Sequence, residues 1–396
     1  METDIAAFRI SVHARLRRAR RVLLLAVLIL PALLFAASSL SGVRSTHATF
    51  PGGNGKIAFQ RVLSEGGNPN TEIFVMEADG SNPVNISNSP EHDTAPAWSP
   101  DGTRIAFSRG DIWVMDPDGG NQANLTNNSM IEVDPIWSPD GTKIAFGSGP
   151  GNGRDWGLYV MNSDGSNVTF LAPNGSVGLD GGSSWSPDGS RIAFGSGLQL
   201  VNADGTNLIQ LPDDNVPGAD LAPSWSPDGS CILYRSYRGG AGEGEIYVTT
   251  PDGARRANLS RHPANEDDGA WSPDGTKIVF TSTRDREHPL FESDLYIMDA
   301  DGGNPVRLTN TPEAEISPDW QPLPGGAAPA PCVIPERPAE PSPSPAVEPP
   351  PGSLPRGGGP PSARDGGLPN AALIALGGLA LAPAAYILVR ISRRHL

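Results

Sequence analysis

The chain has 396 residues, with 44 acidic against 29 basic side chains, a formal net charge of -15, 6% aromatic residues and two cysteines. Residues 1–50 and 390–396 hold ten arginines and two acidic residues, so the remainder carries 19 basic and 42 acidic side chains, net -23. Such a body repels nucleic acid and anionic lipid surfaces, which excludes nucleic acid as a partner and leaves basic or metal-bearing partners as the better match.

Residues 1–21 form a basic region with Arg15, Arg17, Arg18, Arg20 and Arg21, and an apolar segment follows over 22–41, interrupted at Pro31. This pattern predicts a Sec-type leader or an N-terminal anchor, and Arg20-Arg21 adds a twin-arginine element. Either reading places the chain beyond a short spacer, 42–53, outside the cytoplasm.

The next stretch is organised by a repeat. Trp-Ser-Pro-Asp-Gly occurs at Trp98, Trp137, Trp185, Trp225 and Trp271, with a worn copy at Trp320. The period is close to the ~40–45 residues of a four-stranded propeller blade. In each copy a short strand A ends at the tryptophan. Ser-Pro-Asp-Gly then makes a hairpin turn, because Pro presets φ at its second position and Gly accepts the left-handed fourth. Runs such as Lys143-Ile144-Ala145-Phe146 alternate with period two as strand B, and Ile112-Trp113-Val114-Met115 or Leu295-Tyr296-Ile297-Met298 follow as strand C. A second turn, such as Asp116-Pro117-Asp118-Gly119, leads to a weak outer strand D near Leu125 or Leu308.

The series begins on a strand B and ends on a tryptophan strand that has no strand B after it. The two halves complete one blade, which predicts an all-β, six-bladed propeller over 54–323, closed by N- and C-terminal strands sharing that blade. The six repeat tryptophans are expected between blades. A closed ring needs no second copy, so a monomer is expected.

The repeat resembles that of TolB-type propellers, a WD-repeat-like family named for a periplasmic envelope protein. The likeness rests on an acidic residue before Pro-x-Trp-Ser-Pro-Asp-Gly-x-x-Ile-Ala-Phe, then Asp-Ile-Tyr-Val-Met-x-x-Asp-Gly, across roughly Asn54–Pro322. It implies the architecture more sharply than an activity, since such propellers serve as protein-binding envelope components, as caps of serine peptidases and in some lyases. A peptidase of that kind needs an α/β-hydrolase domain with a Gly-x-Ser-x-Gly elbow, and a Pro-rich spacer follows the last blade instead.

Strand connectivity sorts the loops. A-to-B and C-to-D turns share one face with both tethers, while the variable B-to-C loops, 60–72, 147–157, 235–245 and 281–294, share the other. Loops on a rigid scaffold are where recognition sits. Trp156, Tyr237, Arg238, Arg284, Arg286 and Phe291 are the candidate contact residues there, since Arg and aromatics dominate binding hot spots, or they are ordinary solvated loop residues. On the same face the residue five before every repeat tryptophan is acidic: Asp93, Glu132, Asp180, Asp220, Glu266 and Glu315. These six would ring one mouth of the central channel. They then either hold a divalent cation or a Lys or Arg side chain, or accept hydrogen bonds within the fold. His92, His262 and His288 lie nearby without a close pair at metal-ligand spacing. The Asp-x-Asp-Gly turns lack the later ligands of a calcium loop and read as hairpins.

Cys231 starts a strand B beside a tether-side turn, and Cys332 lies eleven residues past Gln321. A disulfide between them is possible, as is a buried thiol with a free partner. Residues 324–370 form a Pro- and Gly-rich spacer whose extended reach is on the order of 140 Å. Residues 371–389 carry no charge and precede a basic tail, 390–396, which predicts a single transmembrane span with the propeller on the cell surface. Leu368-Pro369-Asn370 gives the same tail a likeness to a sortase signal and to cell-wall attachment, although Ala371 and Ala372 stand where such signals carry Thr and Gly. The functional expectation is a tethered, non-enzymatic propeller that binds a protein or cell-envelope polymer. Its rival is a metal-assisted, polysaccharide-lyase-like enzyme at the acidic mouth.

Overall fold

The structure is a computed structural model describing residues 50–335, apart from 64–68, 151–154, 174–181, 196, 213–219, 239–242 and 286–292. The repeat turn builds itself from its own sequence. In the first copy Ser99 Oγ donates to Asp101 Oδ1 at 2.6 Å, and Gly102, at φ +67°, donates its N–H to Ser99 O at 2.8 Å. The hairpin then needs no help from the rest of the chain.

The described residues form 24 strands in six antiparallel sheets of four. Blade 1 takes β1 (Gly53–Leu63), β2 (Asn70–Met76) and β3 (Val84–Asn85) as strands B, C and D. Blade 2 is β4 (Thr94–Trp98), β5 (Ile105–Ser108), β6 (Ile112–Met115) and β7 (Ala123–Asn124). Blade 3 is β8 (Ile131–Trp137), β9 (Lys143–Gly149), β10 (Gly157–Asn162) and β11 (Thr169–Pro173). Blade 4 is β12 (Ser183–Trp185), β13 (Arg191–Phe194), β14 (Gln199–Asn202) and β15 (Ile209–Gln210). Blade 5 is β16 (Asp220–Trp225), β17 (Ile232–Ser236), β18 (Glu245–Thr249) and β19 (Arg256–Asn258). Blade 6 is β20 (Glu266–Trp271), β21 (Lys277–Ser282), β22 (Asp294–Asp299) and β23 (Val306–Arg307). The last strand, β24 (Ala314–Leu323), returns to pair with β1, from Gly53 opposite Leu323 to Val62 opposite Ala314, and supplies strand A of blade 1. The ring is a six-bladed, all-β propeller.

The core lies between the blades. All six repeat tryptophans are 0–4% exposed, packed with the strand B aromatics Phe59, Phe107, Phe146, Phe194, Tyr234 and Phe280. Burial of one such ring contributes about 1.5–3 kcal/mol, and the repeat makes that contribution six times.

One feature of every strand A is absent from the sequence expectation. Three residues before each tryptophan the backbone turns left-handed, at Ala95, Asp134, Gly182, Ala222, Asp268 and Ser317, with φ between +48° and +56°. Pairing with strand B slips there in blades 1, 2, 3, 5 and 6. A bulge releases an N–H from its own sheet. In three blades the preceding blade takes it up: Ala95 N–H donates to Gln60 Oε1 (2.8 Å), Asp134 N–H to Ser108 Oγ (3.1 Å) and Ser317 N–H to Asp268 Oδ2 (3.1 Å), while in blade 6 Asp268 N–H donates to Asp267 Oδ1 (3.0 Å) of its own strand. Two further bonds of this kind, Trp98 N–H to Asp319 Oδ2 (2.7 Å) and Trp225 N–H to Ser184 Oγ (3.0 Å), peg neighbouring blades together.

Both ends of the propeller meet the A–B turn of blade 6. Gly52 N–H donates to Pro273 O (3.3 Å) and Ala330 N–H to Asp274 O (2.8 Å). Among the described residues no helix is long and apolar enough to cross a membrane. The segments 22–41 and 371–389 lie outside the described residues.

Candidate functional site

The acidic residue opening strand A sits where β8, β16, β20 and β24 begin or have just begun, next to the end of strand B in the same blade. In the five described copies it is 0–1% exposed. A carboxylate buried so fully must be paired. Asp93 receives Arg109 through both of its oxygens, Nε at 2.6 Å and Nη2 at 2.8 Å. Asp220 receives Arg238 at 3.0 and 2.5 Å together with Ser236 Oγ at 2.6 Å. Glu266 receives Arg284, whose Nη2 lies 2.7 Å from each oxygen, and Ser282 Oγ at 2.9 Å. Glu315 receives Arg61 Nε at 3.0 Å and Thr311 Oγ1 at 2.6 Å. Glu132 has no arginine against it among the described residues. It accepts from Thr126 Oγ1 and from Asn128 Nδ2 (2.5 Å), and burial pushes its carboxyl up from the usual range while those two donors pull it back. Asp180 lies outside the described residues.

Three of the arginines are fixed on a second side. Arg61 stacks 4.3 Å from the centre of the Phe74 ring, Arg109 lies 4.8 Å from Trp113, and Arg284 lies 4.9 Å from Tyr296. Each guanidinium is held between a buried carboxylate and the strand B and C aromatics, a clamp that spans strands A, B and C of one blade. Blades 5, 6, 1 and 2, consecutive in the ring, all carry the carboxylate–arginine pair. Four of the five described acidic side chains are thus joined to an arginine of their own blade.

Strand B of blade 3 ends in Gly147-Ser148-Gly149, and among the described residues no arginine covers it. A small recess opens between blades 3 and 4, bounded by Asp134, Gly147, Trp156, Gly182, Ser183 and Phe194. Trp156, expected as a surface contact, is turned inward and is 5% exposed, and its ring fills the space beside Gly149.

Among the other candidates, Tyr237 stacks on Arg235, whose guanidinium lies 4.2 Å from the ring centre. Arg235 is itself ion-paired across to Asp267 of blade 6 at 2.8 Å, with both side chains buried. Arg238 and Arg284 belong to the clamps, while Arg286 and Phe291 lie outside the described residues. His92 and His262 are both pushed down, chiefly by burial, and His262 Nδ1 accepts the N–H of Ala264 at 3.2 Å. His288 lies outside the described residues. Among the described residues no group of three or more His, Cys, Asp or Glu is placed to hold a metal ion. The donor set does not fit one either, because a guanidinium already neutralises the carboxylate in four blades. Sequence reasoning missed the clamps, although a signal was present: an arginine follows the strand B aromatic by two residues at Arg61 and Arg109, and by four at Arg238 and Arg284.

Cys231 and Cys332 are joined in a disulfide with Cα atoms 6.1 Å apart.

Comparison with known proteins agrees with this architecture. The model of the TolB beta propeller domain matches residues 212–322, which cover blades 5 and 6 and the closing strand. The propeller is of the TolB type. The Tol-Pal system protein TolB of Anaeromyxobacter dehalogenans (strain 2CP-1) is 39% identical over 89 residues, which is 22% of this chain and 19% of the relative. The chain thus spans about a fifth of the length of the curated relatives it matches. The crystal structure of TolB from Acinetobacter baumannii superposes on 68% of this chain and 67% of that one with a TM-score of 0.57 at 20% identity. A TolB-like structure from Agrobacterium tumefaciens gives 0.51 at 21% identity over 68% and 99% of the two chains. These two likenesses are of fold. The TolB-type ring is the scaffold on which the clamps, the recess and the B–C loops are mounted.

Proposed function

We propose that this chain is a non-enzymatic interaction module, carried outside the cytoplasm by its flanking segments, that recognises a protein or envelope polymer through its B–C loop face. The observation that carries the reading is how the acidic residues are used. Metal-assisted or acid–base chemistry needs carboxylates that can meet a ligand. Here Asp93, Asp220, Glu266 and Glu315 are buried against arginines of their own blades, and Glu132 against a hydroxyl and an amide. The acidic position supports the scaffold, and recognition is left to the loops above it. The TolB-type relatives, named as Tol-Pal system proteins, favour a role among other proteins.

In this reading residues 1–41 export or anchor the chain, 324–370 space the propeller from the surface, and 371–389 hold it to the membrane as a single pass. The tether-side turns face the membrane and the B–C loops face outward. The test is capture from envelope extract on the immobilised full chain, beside a variant in which only 64–68, 151–154, 239–242 and 286–292 of these loops are shortened, so that Arg61, Trp156, Arg238 and Arg284 stay in place. A partner retained by the first and lost by the second is expected. Equal retention by both refutes the assignment of the face.

A further inference from the structure

The chain does not leave the propeller where the ring closes. After β24 ends at Leu323, Gly325 turns it at φ +82°, and Gly326 passes so close to the backbone of Gly52 and Gly53 that no β-carbon fits. The strap then crosses two blades on the tether side. Ala330 N–H donates to Asp274 O in the A–B turn of blade 6 (2.8 Å), and Cys332 N–H donates to Asp228 Oδ2 in the A–B turn of blade 5 (3.1 Å). Ile334 is buried as part of the core cluster that holds Cys231, Val248 and Trp271, and its carbonyl accepts Arg255 Nη2 at 3.4 Å. The strap is fixed covalently by the Cys231–Cys332 disulfide, which joins positions 101 residues apart.

This route matters because of how β24 is held. Gly53 pairs with Leu323 at the open end of the β1–β24 ladder, so a pull on the chain beyond Leu323 would load the hydrogen bonds one after another from that end. Bonds loaded singly peel, and β24 is the strand whose loss opens the ring. Cys231, by contrast, immediately precedes β17, which is paired on both sides, with β16 and with β18. A load entering there is shared by two ladders at once.

We propose that the disulfide is a load-bearing rivet: it passes any pull on the chain beyond Pro335 into the centre of blade 5 and spares the strand that closes the ring. The strap and β24 then lie inside a covalent loop and carry no tension. This load path belongs to the fold itself, and it is the same whether or not residues 371–389 cross a membrane.

The experiment is optical-tweezers extension of the full chain held at its C-terminal end and at a handle in the C–D turn of blade 3, so that no load enters at Gly53. With the disulfide intact, rupture should show no early step, and the total extension should fall short by the enclosed segment, about 35 nm at ~3.5 Å per residue. After reduction with dithiothreitol, or in Cys332→Ser, a step of roughly 8 nm should precede the main rupture at lower force, as residues 314–335 peel away. An early step in the oxidised protein, or first ruptures that coincide in the oxidised and reduced proteins, would overturn the proposal. Reduction in free solution supplies a second reading. A rivet leaves the unloaded ring closed, so near-ultraviolet dichroism should not change; collapse of that signal without load would overturn the load-bearing role in favour of a general stabiliser. Reduced wild-type protein keeps the test available should Cys332→Ser fail to fold.

Discussion

At the scale of single residues, the propeller depends on a few buried charges that burial makes expensive and local partners make tolerable. Arg109 holds Asp93 with both oxygens while stacking on Trp113 and Phe107. Arg109→Leu leaves the carboxylate buried without its partner, and a loss of about 3–5 kcal/mol is expected in urea unfolding. The double variant Asp93→Asn, Arg109→Leu should cost less than Arg109→Leu alone, because no uncompensated charge remains. Asp319 is a different case. It lies between blades 1 and 2 and accepts the N–H of Trp98, and burial raises its carboxyl well above the usual range. The folded protein therefore holds a proton that the unfolded chain releases near pH ~4. That contribution to stability is fully present below pH ~4 and is lost as pH rises through the raised value. Asp319→Asn keeps an acceptor for Trp98 without the ionisation. The melting temperature of the wild type should fall relative to Asp319→Asn as pH increases above ~4, and parallel profiles would contradict the assignment.

At the scale of the element, the unit is a blade pegged to the one before it. The C–D turn glycines do part of this. Gly80, at φ +86°, lies against the outer edge of blade 6, where a β-carbon would come 2.6 Å from Leu308 O. Gly80→Ala meets both the left-handed backbone and that carbonyl, so a loss of at least ~1–2 kcal/mol is expected in denaturant unfolding, and it falls at the seam where the ring closes. This level was partly legible in the sequence. Ser-Pro-Asp-Gly declares its own turn, and Lys-Ile-Ala-Phe its own strand, because both are decided within a few residues. The bulge three residues before the tryptophan was not legible, since Ala, Asp, Gly and Ser share no local preference for it. In three blades its freed N–H is met by a side chain of the preceding blade, distant in sequence, as Ala95 is by Gln60. The acidic position was visible as a repeat, but its partner was hidden because the arginine stands two residues after the strand B aromatic in some blades and four in others.

At the scale of the whole molecule, the ring is uneven. Blades 5, 6, 1 and 2 close their outward end with a carboxylate–arginine clamp, while blade 3 presents a glycine-ended strand and shares with blade 4 the recess beside Trp156. The count of blades and their closure were legible in the sequence because β1 and β24 are each half of a repeat. Glu266→Gln should lower the melting temperature and leave partner capture unchanged, whereas shortening only 64–68, 151–154, 239–242 and 286–292, which spares the clamp arginines Arg61, Arg238 and Arg284, should abolish capture and leave the melting temperature unchanged. The central claim is that recognition falls on the B–C loop face and scaffold support on the acidic position. Hydrogen–deuterium exchange of the full chain, with and without its captured partner, tests it most directly. Slowed exchange in 60–72, 147–157, 235–245 and 281–294, with the Ser-Pro-Asp-Gly turns unchanged, is the predicted result. Protection confined to those turns or to the outer strands would contradict it.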